Sequence, residues 1–223
     1  KLIEEAPFIF TNKNFRKKIG DTAIKAARAL RYRSAGTIEF ILDKDDQIYF
    51  MEVNKRVQVE HPITEMITGI DIVNEQIRIA AGGLLPYKQS DIKFSGHSIE
   101  CRINAEDPDK FIPSPGRITL FIPPGGQGVR VDSAAYSGWV VPSHYDSLIA
   151  KLVVHGKNRE EAIMKMKRAL REFVVEGIKT TIPFHLRILD HPDFISGNFN
   201  THFLEKINKP EVQAPKTNGK TAG

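Results

Sequence analysis

Residues 36–61 read GTIEFILDKDDQIYFMEVNKRVQVEH, and this stretch decides the fold. It contains two apolar runs, 36–42 and 47–53, that are rich in β-branched and aromatic residues. Between them lies the charged break Asp43-Lys44-Asp45-Asp46. Because such runs favour β-strands and a short polar break favours a turn, the stretch predicts an antiparallel hairpin.

Each run of the hairpin carries one glutamate where a strand of this hydrophobicity normally has another apolar residue. If the loop is residues 44–47, Glu39 lies directly opposite Glu52, and Asn54 lies on the same face. Like charges that face each other destabilise a sheet unless a neighbour neutralises them, and Mg²⁺ is typically held by one or two carboxylates plus nucleotide phosphates. The three side chains therefore predict a divalent metal site; the alternative is a pair of ordinary surface glutamates.

The segment after the hairpin places three polar side chains on one face. Arg56, Gln58 and Glu60 alternate along an extended chain, so they continue the line of Glu52 and Asn54. A guanidinium, an amide and a carboxylate beside a metal make a site for a small oxyanion with a base close by. The stretch therefore predicts an anion site next to the metal.

A specific family resemblance begins in this segment. Residues 52–65, EVNKRVQVEHPITE, resemble the signature of the biotin carboxylases, the ATP-dependent components of biotin enzymes within the ATP-grasp superfamily. The metal pattern is common to ATP-grasp enzymes, whereas the sequence QVEH at 58–61 is specific to the biotin branch. The similarity continues to about Lys206 through IECRINAEDP at 99–108, PSPG at 113–116, PGG at 124–126, RVDS at 130–133 and YDS at 145–147.

The resemblance implies that ATP, its Mg²⁺ or Mn²⁺ ions and bicarbonate, the substrate, bind in this region. By resemblance the metal ligands are Glu39, Glu52 and Asn54. The ATP-binding residues are Glu39, Ile41, Glu52 and Thr201, of which Ile41 and Thr201 lie near the adenine. The bicarbonate-binding groups are Arg56, Gln58, the backbone of Val59 and Glu60.

The resemblance also implies catalytic roles for Arg56, Glu60 and Arg102. Glu60 is the general base that deprotonates bicarbonate, and Arg102 pairs with carboxyphosphate or biotin and stabilises the biotin enolate. Asp146 lies close to the biotin, which is attached to a carrier protein. Without the resemblance, Arg102 is more simply interpreted as a salt-bridge partner of Glu100, which shares its strand face.

The predicted fold class is α/β (α+β), with two units and a tail. Residues 1–84 resemble the C-terminal part of an ATP-grasp domain and carry the metal and bicarbonate site. Residues 85–208 resemble the biotin carboxylase C-terminal domain, a mixed antiparallel sheet with helices. The boundary is placed in the polar segment 84–95, and the composition of residues 209–223 predicts a flexible tail.

Three amphipathic helices are predicted from apolar spacing and capping residues. Thr11 or Asn12 caps the first, Asp71 caps the second, and Asn158 caps the third, which has Glu160 and Glu161 in its first turn. Cys101 shares a strand face with apolar neighbours and has no activating partner, so it is predicted to be a buried core residue.

Composition limits the function classes. The chain has 223 residues, 41% of them hydrophobic and 26% charged, with a net charge of +5, which is typical of a soluble globular protein. No membrane span or signal peptide is predicted. A single cysteine favours a reducing, cytoplasmic location. The basic helix face at 165–171 lacks the interleaved aromatic residues of a nucleic-acid site.

The resemblance implies partners beyond this chain. They are a biotin carboxyl carrier protein or domain, a carboxyltransferase subunit, and a second copy that forms a homodimer through the C-terminal domain near Arg130. The family's phosphate lid, its N-terminal strands and a bicarbonate-side lysine are expected to precede Lys1. The chain therefore resembles the C-terminal half of a biotin carboxylase, and it is expected to be inactive alone.

One departure and two alternatives accompany this interpretation. Lys55 stands where the family has threonine, serine or proline, and it is expected to point to the opposite face. Another ATP-grasp ligase, such as a carbamoyl-phosphate synthase, would share the metal pattern, but this alternative does not explain the motif at residues 100–104. A non-catalytic dimerisation or carrier-binding module is the other alternative.

Overall fold

A computed structural model describes residues 1–9 and 13–207 of the chain. The strands are β1 (Ile3–Ala6), β2 (Thr37–Leu42), β3 (Ile48–Asn54), β4 (His97–Asn104), β5 (Gly116–Arg117), β6 (Leu120–Ile122), β7 (Val129–Ser133), β8 (Val140–Val141), β9 (Leu148–Gly156) and β10 (Val174–Glu176). The helices are α1 (Lys13–Ala29), α2 (His61–Thr68), α3 (Ile72–Ala80), α4 (Arg159–Glu172), α5 (Ile182–Asp190), α6 (Pro192–Ser196) and α7 (Phe203–Ile207). A 3₁₀ turn, Gln89–Asp91, precedes β4. The predicted mixture of helices and antiparallel sheets is confirmed.

The central sheet is antiparallel and has the strand order β1-β4-β9-β7. One face of β4 carries Ile99, Cys101 and Ile103, all fully buried in the main apolar cluster. Helix α4 covers this cluster with a stripe that includes Met166 and Leu170. The prediction that Cys101 is a buried core residue is confirmed.

Strand β1 comes from the first predicted unit but belongs to the sheet of the second. It pairs with β4, with Ile3 opposite Cys101 and Glu4 opposite Glu100. The partner strand lies more than 90 residues away along the chain, so the local sequence pattern does not indicate this pairing. The unit boundary near residue 84 stays a prediction.

The hairpin β2–β3 has the predicted opposition of Glu39 and Glu52. The loop is one residue longer than expected, because Leu42 pairs with Ile48. A register shift beside Glu39 leaves Met51 as an extra residue in β3, which restores the alignment. The predicted opposition is therefore confirmed, although the predicted loop is wrong by one residue.

Two predicted helix caps are confirmed. Asn158 Oδ1 accepts a hydrogen bond from the N–H of Glu161 at 2.9 Å, and Asp71 Oδ1 accepts one from Asn74 at 2.8 Å. The third cap, Thr11 or Asn12, and the predicted tail at 209–223 lie outside the described residues. No described helix combines the length and the apolar character that a bilayer crossing requires.

Candidate active site

The two hairpin glutamates meet at one amide group. Asn54 Nδ2 donates to Glu39 Oε1 at 3.0 Å and to Glu52 Oε1 at 2.8 Å. The amide thus lies between the two carboxylates, at a place where a cation could contact both. Within the described ranges no group of three or more His, Cys, Asp and Glu side chains is arranged to hold a metal. Two carboxylates that need additional ligands fit Mg²⁺ better than an all-protein metal cage.

Glu39 receives two further contacts from outside the hairpin. Gln58 Nε2 donates to its Oε1 at 2.6 Å, and Lys1 Nζ lies 3.3 Å from the same oxygen. The hydrogen bond from Gln58, together with that from Lys1, lowers the pKa of Glu39 and outweighs its partial burial. The expected lysine of the site was placed upstream of Lys1, whereas the structure brings Lys1 itself to this carboxylate.

The segment after β3 lines a cleft of about 630 Å³ beside the hairpin. Its walls include Glu39, Arg56, Gln58 and Glu60, four of the predicted site residues. The Arg56 guanidinium is exposed and donates only to the carbonyl of Val57, at 3.2 Å, among the contacts of the described chain. A cleft with two carboxylates, an amide and an exposed guanidinium can receive a small anion together with a cation.

Arg102 connects the central sheet to this cleft. Its Nη2 lies 2.9 Å from Glu60 Oε2 and 2.7 Å from Glu4 Oε1. The alternative partner, Glu100, makes no such contact, since neither of its carboxylate oxygens has a hydrogen-bond partner within the described chain. The interpretation of Arg102 as a partner of Glu100 is therefore wrong, and its guanidinium faces Glu60.

Lys151 holds the backbone of the anion-binding segment. Its Nζ donates to the carbonyl of Val59 at 3.2 Å and lies 3.3 Å from Asp132 Oδ2. Lys151 stands opposite Arg102 in the pairing of β4 with β9. This lysine was not predicted as a site residue, although it is the single Lys or Arg inside the apolar run LIAKLVVHG at 148–156.

The other predicted site residues lie apart from this cluster. Ile41 is exposed on the hairpin and Thr201 is exposed just before α7. Asp146 caps Leu148 N at 2.9 Å and lines a smaller cleft of about 270 Å³ beside Ser147. No hydrogen bond or ion pair of the described residues joins these three to Glu39, Glu60 or Arg102.

Two protein-family profiles match the chain. Residues 1–88 match the carbamoyl-phosphate synthase L chain, ATP binding domain, and residues 100–206 match the biotin carboxylase C-terminal domain. The first match lies in the N-terminal part of the chain and the second in the C-terminal part.

Individual relatives agree with the profiles. The chain is 59% identical over 207 residues to biotin carboxylase 1 of Bacillus subtilis, covering 92% of this chain and 46% of that protein. It is 54% identical over 210 residues to the biotin carboxylase of a Nostoc species, covering 94% of this chain and 47% of that protein. The chain thus spans about half the length of the curated relatives that it matches.

Solved structures show the same similarity. A biotin carboxylase complex from Campylobacter jejuni superposes with a TM-score of 0.89 at 51% identity, covering 92% of this chain and 46% of that one. The biotin carboxylase domain dimer of 2-oxoglutarate carboxylase from Hydrogenobacter thermophilus, in complex with MgADP and bicarbonate, gives 0.91 at 49% identity, covering 94% and 47%.

Proposed function

Because this chain belongs to the biotin carboxylase family, we propose that the full protein is an ATP-dependent ligase that carboxylates biotin on a carrier protein with bicarbonate. The observation that carries the proposal is the contact between Arg102 and Glu60 at the edge of a cleft that also contains Glu39, Arg56 and Gln58. This contact joins the first unit, which resembles ATP-binding ligases in general, to the second unit, which resembles biotin carboxylases in particular.

The first step that we propose is the activation of bicarbonate. Arg56 and Gln58 bind the anion, and Glu60 takes its proton while a bicarbonate oxygen attacks the γ-phosphorus of ATP. The bond to ADP breaks and carboxyphosphate forms. Arg56 faces the accumulating negative charge and stabilises it electrostatically.

The second step transfers carbon dioxide to biotin. Carboxyphosphate separates into CO₂ and phosphate, and the phosphate accepts the N1 proton of biotin, which frees N1 to bond to the carbon of CO₂. Arg102 then stabilises the negative charge that develops on the biotin ring, since a guanidinium does not lose its proton at physiological pH. Asp146 and its smaller cleft are proposed to lie near the biotin, and Ile41 and Thr201 near the adenine.

The metal site is proposed on Glu39, Glu52 and Asn54. The donor set fits Mg²⁺ or Mn²⁺, since both carboxylates converge on one amide and these ions prefer hard oxygen ligands. A bound ion neutralises the phosphate charge that develops during transfer.

The partners are proposed by family membership. They are a biotin carboxyl carrier protein or domain, a carboxyltransferase, and a second copy of the chain bound through the unit that contains Arg130. The solved relative from Hydrogenobacter thermophilus is described as a domain dimer. A cytoplasmic location accords with these partners.

The proposed function is tested by substitutions in the full-length protein. Glu60→Gln removes the base, so we expect bicarbonate-dependent ADP release to fall roughly 10²- to 10⁴-fold. Arg102→Met removes the charge that biotin requires, so we expect carboxybiotin formation to fall roughly 10²- to 10³-fold. Labelled bicarbonate and coupled ADP detection measure the two products.

Glu176→Gln is the matched control, because Glu176 is an exposed glutamate in β10. It should leave both rates unchanged. Near-normal rates for Glu60→Gln would remove that residue from its role, and carrier binding without turnover in the wild-type protein would favour a non-catalytic module.

A further inference from the structure

Glu100 is a fully buried carboxyl group in the central strand of the sheet. Its side chain lies on the same face of β4 as Arg102, and neither of its oxygens has a hydrogen-bond partner among the described residues. An ionised carboxylate without partners is costly in such a place. The proposed mechanism does not use this residue, so its burial requires another explanation.

A second carboxyl group stands directly opposite. Glu4 in β1 is the register partner of Glu100, and opposed side chains in antiparallel strands lie about 5 Å apart at their Cβ atoms. Two buried carboxylates at this separation do not ionise together easily, so one retains its proton. Arg102 decides which one, because its Nη2 lies 2.7 Å from Glu4 and favours the charged form there.

The pKa values agree with this division. Burial first, and the charge of Glu4 second, raise the pKa of Glu100 to about 8, although Lys151 and Arg102 act in the opposite direction. The pKa of Glu4 is raised by burial, and the charge of Arg102 opposes that shift. At pH 7 Glu100 is therefore the protonated member of the pair.

The charged groups that act on Glu100 come from several elements. Two carboxyl groups, Glu4 of β1 and Glu60 before α2, lie near the cations Arg102 of β4 and Lys151 of β9. The more distant Asp132 from β7 is shared between Lys151 and Arg130. A charged Glu100 would add a third carboxylate around Arg102. The buried Nε of Arg102 has no hydrogen-bond partner in the described chain and could donate to that carboxylate.

We propose that Glu100 is a positioning residue for Arg102. As an uncharged acid, Glu100 leaves the Arg102 guanidinium bridging Glu4 and Glu60 at the cleft. As a carboxylate, Glu100 draws that guanidinium back into the sheet. The inference rests on the proposed function, in which Arg102 must face biotin. It adds a residue behind the site that controls whether the guanidinium is presented.

The kinetic test compares wild-type and Glu100→Gln full-length protein across pH. Ionisation with a pKa of about 8 leaves roughly a tenth of the protein protonated at pH 9, so we expect wild-type kcat/KM for biotin to fall about tenfold between pH 7 and pH 9. Glu100→Gln is uncharged at both pH values and should lose this fall. A variant that keeps the wild-type pH profile overturns the proposal.

A spectroscopic test does not depend on turnover. The infrared band of a protonated carboxyl group should titrate near pH 8 in the wild-type protein and be missing in Glu100→Gln. Its midpoint should rise in Arg102→Met, which removes a neighbouring cation, and fall in Glu4→Gln, which removes a neighbouring anion.

These outcomes separate the two proposals. Absence of the band, or a midpoint that is the same in Arg102→Met and wild type, overturns the positioning role even if the enzyme is active. If wild-type protein shows no bicarbonate-dependent ADP release, the proposed function fails. The infrared band and the shift of its midpoint in Arg102→Met still test whether Glu100 acts on the Arg102 guanidinium. Glu4→Gln and the wild-type titration decide it if Glu100→Gln does not fold.

Discussion

The main chain of Arg102 is fixed by bonds that are separate from those of its guanidinium. Its N–H donates to Leu2 O at 3.0 Å, and its carbonyl accepts from Thr181 Oγ1 at 3.0 Å. His185 Nε2 lies 2.7 Å from the same carbonyl, which assigns the proton to that nitrogen. The backbone beneath Arg102 is thus held in place, so that only the side chain remains to be positioned.

His185 makes stability depend on pH. Burial lowers its pKa to about 4, although the hydrogen bond to the Arg102 carbonyl opposes this shift. The unfolded chain takes up a proton on this residue near pH 6.5, whereas the folded protein does not until about pH 4, so folding loses stability as the pH falls between these values. From pH 7 to pH 5 this loss is about 2 kcal/mol.

The measurement is the free energy of unfolding in urea at pH 7 and pH 5. His185→Gln keeps a donor for the carbonyl but does not titrate, so it should lose about 2 kcal/mol less than wild type over this range. The comparison cancels the contributions of Glu4 and Glu5, which both proteins share. Equal losses in the two proteins would contradict the assignment.

At the scale of elements, features that depend on adjacent residues could be predicted from the sequence better than features that depend on a distant pairing partner. The caps Asp71 and Asn158 could be predicted because each acts on its own first helical turn. The hairpin loop was wrong by one residue because Asp43 Oδ1 accepts from the N–H groups of Asp45 and Gln47, both at 2.9 Å. These bonds close the loop from Asp43 onward, and the bulge at Met51 compensates, which no periodicity indicates.

The cap of α4 provides a test of element stability. Asn158→Ala removes the acceptor for Glu161 N and should lower the free energy of unfolding by about 1 kcal/mol. The effect should be global, because Ala162, Met166 and Leu170 of this helix pack in the main core. Asn158→Ser keeps a capping oxygen and should recover most of the loss in urea unfolding; no difference between Ala and Ser would exclude the cap as the cause.

At the scale of the whole molecule, the candidate site lies where the two predicted units meet. Arg102 and Lys151 reach from the central sheet to Glu60 and Val59, and Arg130 Nη1 reaches Glu65 of α2 at 2.6 Å. The site residues of the first unit were predictable because they are close in sequence. The contributions of Lys1, Glu4 and Lys151 were not, because they depend on pairings across more than 35 residues.

The hairpin β2–β3 and the central sheet should differ in their rates of amide hydrogen exchange. None of the described residues before Gln58 is buried, whereas β4 and β9 are buried along most of their length. Opening β2–β3 locally therefore exposes little additional apolar surface, and its amides should exchange early. The amides of β4 and β9 require opening of the main core and should exchange last.

Strand β1 makes this prediction specific. It lies close in sequence to the fast-exchanging elements, but it is hydrogen-bonded to β4 over Ile3–Ala6. Its paired amides should therefore exchange more slowly than those of β2 and β3, because they open only when the edge of the central sheet opens. Mass spectrometry of peptides that cover 1–9, 37–54 and 97–104 of the 223-residue chain measures the order. If β1 exchanges as fast as the hairpin, the pairing that places Glu4 opposite Glu100 does not persist in solution.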